Sequence, residues 1–451
     1  MTKEKIHLIG IGGISMSGIA RILLKRGYQV SGSDIKNSSV LENLKEMGAD
    51  IYIGHAPDNI KMVERVVVSN AVPEDNIELK YARGQKLPVH DRAEMIDRLM
   101  EDYRGIAISG THGKTTTTSL VTSLLLQGGL DPGVMMGGNM DILSGNARNG
   151  QGEFFVTEAD ESDGSLLYYN PEVAVITNLE LDHHDFYDRE EKLKKFFAYF
   201  LKKVAPEGKI IAPTDDKLLA EILDKNDPRV STYGLNKGDL AAHNIRLAPF
   251  KSFYTVYFKE NKLGEIMLPI PGVYNILNSL AAVAVAFYTG LEFGEIKKYL
   301  AEYKGVKRRF EKKGFLGDIP VVDDYAHHPT EIKAVLKTAQ NTEYNRIIAV
   351  FQPHRYSRTR HLMKELSCSF KYADKLIMTE IYAADEKPSS EVSAEKLAEM
   401  TAENSDSDVE FIVDFEDIKS RLKEIIQPGD LLITLGAGDV TEIGDELLSE
   451  H

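Results

Sequence analysis

Short apolar runs recur along the chain and alternate with longer stretches whose apolar positions repeat at helical spacing. Ile6-His7-Leu8-Ile9, Val66-Val67-Val68, Ile106-Ala107-Ile108, Phe154-Phe155-Val156 and Val173-Ala174-Val175-Ile176 each read as a buried strand. Near the C-terminus Val321-Val322, Ile347–Phe351, Leu376–Met378, Phe411–Val413 and Leu431–Leu435 repeat the pattern. Runs buried on both faces, separated by amphipathic segments, predict parallel sheets covered by helices, an α/β architecture. Leu280 to Tyr288 is the longest apolar stretch; it is Ala-rich, too short to span a bilayer, and reads as a buried helix.

Breaks in this pattern divide the chain into three blocks. Residues 1–103 open with a strand, the turn Gly10-Ile11-Gly12-Gly13 and a helix around Met16–Arg26, then a second strand ending at Ser33-Asp34. Residues 104–308 begin with the strand before Gly110 and include a hairpin turn at Lys259-Glu260-Asn261-Lys262. Residues 309–451 close the chain with alternating strands and helices. No internal repeat or low-complexity tract is visible.

Chemistry concentrates where strands end, the place where open α/β sheets bind ligands. Ser109-Gly110-Thr111-His112-Gly113-Lys114-Thr115-Thr116-Thr117 lies between a strand and a helix. Glycines there let backbone N–H groups approach phosphate oxygens, and the helix N-terminus adds positive potential. Lys114 would neutralise the β- and γ-phosphates, and the Thr115 hydroxyl would ligate Mg²⁺. The first glycine stands three positions before the second, closer than in the usual phosphate loop. Glu158-Ala159-Asp160-Glu161-Ser162-Asp163 follows another strand of this block, and Glu158, nearest the strand, suits Mg²⁺ held against phosphates. Asn178 to Asp185 carries His183 and His184, which also admit a transition-metal reading.

The other blocks carry weaker signals. Gly10, Gly12 and Gly13 resemble a dinucleotide fingerprint whose third glycine is replaced by Ser15; Asp34 stands about where a ribose-binding acid is expected. This predicts a Rossmann-like half holding a nucleotide or a diphosphate. Ser69-Asn70 ends a further strand of that block. In the last block Asp324-Tyr325-Ala326-His327-His328-Pro329 and Gln352-Pro353-His354-Arg355-Tyr356-Ser357-Arg358 follow strands, and their arginines suit a carboxylate or a phosphate.

Composition narrows the picture. Formal net charge is -15, which argues against a general nucleic-acid binder. The single cysteine, Cys368, rules out an internal disulfide framework and reads as a small buried apolar residue. The Gly-rich start does not read as a signal peptide, so a cytoplasmic protein without a membrane partner is expected.

Taken in order, these motifs resemble the Mur ligase family over essentially the full length. The resemblance rests on Gly10–Gly13 with Met16-Ser17-Gly18, Gly110–Thr115, Glu158–Asp163, Asp182-His183, Asp324–Glu331 and Phe351–Tyr356. It implies three domains: a Rossmann-like N-terminal domain (1–103) for a UDP-sugar, a central P-loop ATPase-type domain with a mainly parallel sheet (104–308), and a Rossmann-like C-terminal domain (309–451) for an amino acid. It also implies ATP-dependent amide formation, with L-alanine joined to the lactyl carboxylate of UDP-N-acetylmuramate through an acyl phosphate. By this match Gly10, Gly12, Gly13, Ser15, Asp34, Ser69 and Asn70 would hold the UDP-sugar. Gly110, Thr111, His112, Gly113, Lys114, Thr115, Thr116, Asn275, Arg309 and Asp324 would hold ATP. Thr115, Glu158 and His183 would hold Mg²⁺, with Mn²⁺ as a substitute. Tyr325, His354, Arg355 and Arg358 would hold the alanine, with Lys114, His183, Arg309 and His327 in catalytic roles. Tyr274 stands where the family often has His. A family member that attaches a recovered tripeptide is the alternative, and a monomer and a homodimer both remain open.

Overall fold

The computed structural model describes residues 3–161, 164–181, 187, 189–384 and 386–450. The chain folds into two compact units. One comprises Met1–His243, Thr255–Ile266 and Leu277–Tyr303; the other comprises Asn244–Tyr254, Met267–Ile276 and Lys304–His451.

The first unit contains a five-stranded sheet in the order Asp50–Ile53, Gln29–Asp34, Lys5–Ile9, Arg65–Val68, Val89–Asp91, with every pair parallel. The central strand is lined by Ile6, Leu8 and Ile9, which are buried because helices cover both faces of a parallel sheet. The helix Ile14–Lys25 leaves the Gly10–Gly13 turn directly.

A second sheet of ten strands follows. Seven of its strands run Val230–Leu235, Lys209–Pro213, Val173–Ile176, Arg104–Ser109, Phe154–Glu158, Gly133–Met140 to the edge strand Gly145–Arg148, parallel except for the last pair. The helix Lys114–Gln127 is buried along most of its length. Its run Thr115–Thr118 has poor helix propensity, yet burial against the sheet overrides that preference. The apolar run expected to form a buried helix does so, as Val273–Tyr288.

The first helix also binds the two sheets of this unit together. Asn146 Nδ2 donates to the Ile14 carbonyl at 2.7 Å, and Arg26 donates to Asn149 Oδ1 at 3.0 Å and to the Leu99 carbonyl at 2.8 Å. A Cβ on Gly18 would lie 2.7 Å from Met135 Sδ, so only glycine permits this approach of helix to strand. The two sheets therefore form one unit, although the chain reads as two successive blocks.

The second unit is built on a six-stranded sheet in the order Glu311–Leu316, Ile319–Asp324, Asp430–Leu435, Arg346–Phe351, Lys375–Met378, Asp408–Phe411. All pairs are parallel except the first, which is antiparallel and bulged between Lys312 and Gly314. Two sequence expectations shift here. The strand expected at Phe411–Val413 lies at Asp408–Phe411, because Val409 and Phe411 pair with Leu376 and Met378 on an edge where polar residues can alternate. The strand Glu311–Leu316 has no apolar run to announce it; it lies at a sheet edge, and none of its residues is fully buried.

Cys368 is exposed, correcting the expectation of burial. It caps the helix Met363–Ser367, where Ser367 and Ser369 take the inward positions on either side of it. Among the described residues no helix is long and apolar enough to cross a membrane.

Candidate functional site

The phosphate loop joins the strand Arg104–Ser109 to the helix Lys114–Gln127. Gly110 has φ +131°, and a Cβ there would collide with Thr177 Oγ1 and lie 2.8 Å from the Asn178 carbonyl. The neighbouring strand end splints the loop from that side. Asn178 Oδ1 accepts from the His112 N–H at 2.9 Å, while Asn178 Nδ2 and Thr177 Oγ1 donate to the His112 carbonyl at 2.8 and 2.6 Å. Thr111 and Glu180 exchange two further bonds, Thr111 Oγ1 to the Glu180 carbonyl at 3.0 Å and the Glu180 N–H to Thr111 Oγ1 at 2.9 Å. The loop is thus held in shape by protein contacts before any ligand is considered, which lowers the ordering cost of anion binding.

Lys114, the first helical residue, folds back over this loop. Its Nζ donates to the Gly110 and Thr111 carbonyls at 2.6 and 3.2 Å and to Glu161 Oε2 at 2.7 Å. Burial pulls the Lys114 ammonium down, but the carboxylates of Glu161, Asp160 and Glu158 outweigh it and hold the group up at about 12. Burial pushes Glu161 up to about 7 against the opposing pull of Lys114. Lys114 is therefore a cation at neutral pH, held at the helix start where phosphate oxygens would lie.

Thr115 and Glu158 meet beside it: Thr115 Oγ1 donates to Glu158 Oε2 at 3.1 Å, and the Gly137 N–H donates to Glu158 Oε1 at 2.7 Å. A hydroxyl and a carboxylate converging at the phosphate loop form a hard oxygen donor set, the chemistry that Mg²⁺ selects over softer metals. His183, and with it Asp182 and His184, lies outside the described residues.

In the five-stranded sheet the glycine turn is tied to the end of the next strand. The Ser33 carbonyl accepts from the Gly10 and Ile11 N–H groups at 2.9 and 3.1 Å, and Asp34 Oδ2 accepts from the Gly12 N–H at 2.9 Å. Asp34 therefore shapes the turn itself. Gly13 and Ser15 follow at the helix start, where Arg92 donates to Ser15 Oγ at 3.1 Å and to Ser165 Oγ at 3.1 Å. Ser69, at the end of the next strand, packs against Gly10, and Asn70 beside it is exposed.

The second unit assembles its own cluster at the strand ends. Asp324 is buried; it accepts from the Phe310 and Ala326 N–H groups at 2.7 and 2.8 Å. Burial pushes its carboxyl up to about 7 despite Arg309 and these donors. Arg308 is spent on structure, donating to Asp323 Oδ2 at 3.1 Å and to the Gly436 carbonyl at 2.6 Å. Both guanidinium groups lie over the Tyr325 ring, Arg308 5.1 Å and Arg309 5.0 Å from its centroid. Asn275 is buried and donates to the Pro271 carbonyl at 2.7 Å.

Tyr325, His327, His354 and Tyr382 form a chain of rings: Tyr325 meets His327 edge-on at 5.4 Å, His327 meets His354 at 5.4 Å, and His354 stacks on Tyr382 at 5.8 Å. Arg358 Nη1 lies 3.0 Å from His354 Nδ1, which fixes that nitrogen as the acceptor. Arg355 is exposed, with φ +69° and its N–H donating to the Tyr382 carbonyl at 2.8 Å. Burial pulls His327 down to about 4, helped by Arg358 and Arg309. Burial also pulls His354 down to about 3, helped by His327 and the neighbouring arginines. His327 Nδ1 donates to the Tyr325 carbonyl at 2.9 Å, which leaves Nε2 as the basic nitrogen of a neutral ring.

These histidines give a pH prediction. An unfolded imidazole protonates near about 6.5, whereas the folded rings resist until about 4 and 3. Between those values the unfolded chain binds more protons, so stability falls as pH drops from about 6.5 towards 4. Thermal melts over that range should show a shallower fall for His354→Gln than for the parent protein; parallel curves would contradict the assignment.

Three family models match the chain in order: the Mur ligase family, catalytic domain, over residues 5–104; the Mur ligase middle domain over 108–286; and the Mur ligase, glutamate ligase domain over 308–438. The chain belongs to the Mur ligase family. It is 45% identical over 448 residues to the UDP-N-acetylmuramate–L-alanine ligase of Geotalea uraniireducens, covering 99% of this chain and 98% of that one. The enzyme of the same name from Clostridium acetobutylicum is 45% identical over 450 residues, again covering 99% and 98%. Among solved structures, the UDP-N-acetylmuramate-alanine ligase of Thermotoga maritima superposes with a TM-score of 0.84 at 27% identity over 99% of both chains. A murein peptide ligase from Psychrobacter arcticus shares the fold at a TM-score of 0.70 and 24% identity, covering 99% of this chain and 98% of that one.

This Mur ligase thus has the three-domain α/β architecture that its motifs implied. The structure brings together Gly110–Thr116 with Glu158 on one unit, and Asn275, Arg309, Asp324, Tyr325, His327, His354, Arg355 and Arg358 on the other. Sequence reasoning missed Glu161 as the partner of Lys114, although it stands in the acidic run; only its complete burial singles it out from Asp160. Arg92, Tyr382 and Glu78 carry no motif at all, and only folding places them.

Proposed function

We propose that this Mur ligase joins L-alanine to the lactyl carboxylate of UDP-N-acetylmuramate, with ATP converted to ADP and phosphate, as a step in peptidoglycan synthesis in the cytoplasm. The observation that carries it is the pre-shaped loop Gly110–Thr115, with Lys114 cationic and Glu158 on Thr115, in a chain 45% identical end to end to ligases of that name. In this reading residues 1–103 hold the UDP-sugar through Gly10, Gly12, Gly13, Ser15, Asp34, Ser69 and Asn70. Residues 104–308 hold ATP through Gly110–Thr116 and Asn275, and residues 309–451 hold the amino acid, with Arg309 and Asp324 completing the ATP contacts.

A carboxylate is a poor acyl donor, and phosphorylation supplies its leaving group. The lactyl oxygen attacks the γ-phosphorus, the bond to the β-bridging oxygen breaks, and ADP departs from an acyl phosphate. Two anions must approach for this, and Lys114 offsets their repulsion while loop N–H groups orient the phosphates. Thr115 and Glu158 would hold Mg²⁺, joined by His183, and the ion would supply charge neutralisation at the phosphates. Arg355 and Arg358 bind the alanine carboxylate, with Tyr325 and His354 lining its place. His327, neutral and with Nε2 as acceptor, takes a hydrogen bond from the alanine amine; a ring that resists protonation until about 4 is too weak a base to keep the ammonium proton, which passes on to solvent. The free amine attacks the acyl carbon, and phosphate leaves from the tetrahedral intermediate.

A phosphate-release assay with UDP-N-acetylmuramate, ATP and L-alanine tests this. Release should require all three. Release with a tripeptide but not with alanine would favour the peptide-attaching alternative, and release that ignores the sugar nucleotide would sink the ligase reading.

A further inference from the structure

Glu78 is wholly buried in the first unit, on the helix Ile77–Gly84, and no step above uses it. Its carboxylate gathers donors from two other segments. Oε2 accepts from Ser33 Oγ at 2.5 Å and from His55 Nδ1 at 2.9 Å; Oε1 accepts from Asn59 Nδ2 at 2.7 Å and from the Ala56 N–H at 3.2 Å. His7 Nε2, from the central strand, lies 3.7 Å away. Burial alone would raise this carboxyl, but the nearby His7 ring and the bonds from Ser33, Asn59 and His55 hold it at about 2, so it is ionised.

The strand end that Glu78 grips is the one that shapes the glycine turn. Ser33 donates its hydroxyl to Glu78 and offers its carbonyl to Gly10 and Ile11, and Asp34 holds Gly12. The segment after the neighbouring strand is clamped by the same carboxylate: Gly54 donates to the Asp34 carbonyl at 2.8 Å, and Asn59 donates to both Glu78 and the Gly54 carbonyl. One buried anion thus fixes the backbone on both sides of Asp34.

We propose that Glu78 is a positioning residue for sugar-nucleotide binding: through Ser33 it sets the Gly10–Gly12 turn in the conformation that receives the diphosphate. The proposal rests on the reading of Gly10–Asn70 as the UDP-sugar site. Charge and geometry make opposite claims here. A negative charge behind an anion-binding turn repels a diphosphate, so if charge ruled, Glu78→Gln would tighten binding. Gln keeps one acceptor, and in either orientation sets its NH₂ against a donor pair, Ser33 with His55 or Asn59 with Ala56, so the clamp loosens and, if positioning rules, binding weakens.

The test is calorimetric titration of the whole protein with UDP-N-acetylmuramate and, separately, with ATP, alongside steady-state kinetics. For Glu78→Gln, Kd for the sugar nucleotide should rise roughly tenfold. Kd for ATP should stay within about twofold, and kcat at saturating sugar should change little. Ser33→Ala, which removes only the link to the turn, should reproduce the rise, and the double variant should add little to either single. If Glu78→Gln fails to fold, Ser33→Ala decides alone. Unchanged or tighter sugar binding in folded variants overturns the proposal, as does equal loss for sugar and ATP. Asp34→Asn separates the two readings. Weaker sugar binding there, with none in Glu78→Gln and Ser33→Ala, removes only the positioning role. No effect in any of the three removes the sugar-site reading with it.

Discussion

Lys114→Ala should reduce ADP formation about a thousandfold while UDP-N-acetylmuramate binds with its parent affinity. Lys114 carries a full positive charge at the start of the phosphate loop's helix, and preorganised charges at a transferring phosphoryl group are worth factors of about 10² to 10³ or more. The fold should survive the change. Lys114 holds Glu161 down against burial, so with the lysine gone burial pushes the Glu161 carboxyl further towards its neutral form, which relieves the unpaired charge. Single-turnover ADP release and calorimetric binding of the sugar nucleotide check both halves. A matching loss of sugar binding would show that the loop and the glycine turn are not separate sites.

The second large effect belongs to Arg358→Ala. KM for alanine should rise roughly 10- to 100-fold, the worth of a charge-assisted contact to a carboxylate, while KM for ATP changes little. Arg358 lies on the short helix Tyr356–His361 and holds His354 Nδ1 at 3.0 Å, so its removal also frees that ring. His354→Gln separates the two contributions: a smaller rise in KM for alanine is expected, because a ring that stays neutral to about pH 3 contributes no charge. Equal effects of Arg358→Ala on both substrates would count against its place on the amino acid.

Much of this was legible in the chain. The strand–loop–helix around Gly110–Thr117, the acidic run after Phe154–Val156 and the turn at Gly10–Gly13 each depend on neighbours close in sequence. Their glycines, capping positions and apolar runs announce them for that reason. The shortened spacing of the phosphate loop, unusual for a general nucleotide binder, is what the family resemblance accounts for. The edge strand Glu311–Leu316 was hidden because an edge tolerates polar residues on both faces. The exposure of Cys368 was hidden because composition says nothing of which way a helix end turns.

The sequence by itself determined most of the element types, the α/β class, the phosphate-loop motif and the family, since all of these rest on local periodicity and on ordered motifs. Tertiary structure alone decided which of several similar groups does what. It put Glu161 rather than Asp160 hard against Lys114, and tied Arg308 to Asp323 and Gly436 although Arg308 and Arg309 both lie over Tyr325. It buried Glu78 beneath Ser33, 45 positions away in the chain. It also merged the first two sheets into one unit through Gly18 and Asn146. The physical reason is common to all four: burial and hydrogen-bond geometry depend on residues distant in sequence, and identical side chains acquire different charges and partners only when the fold places them.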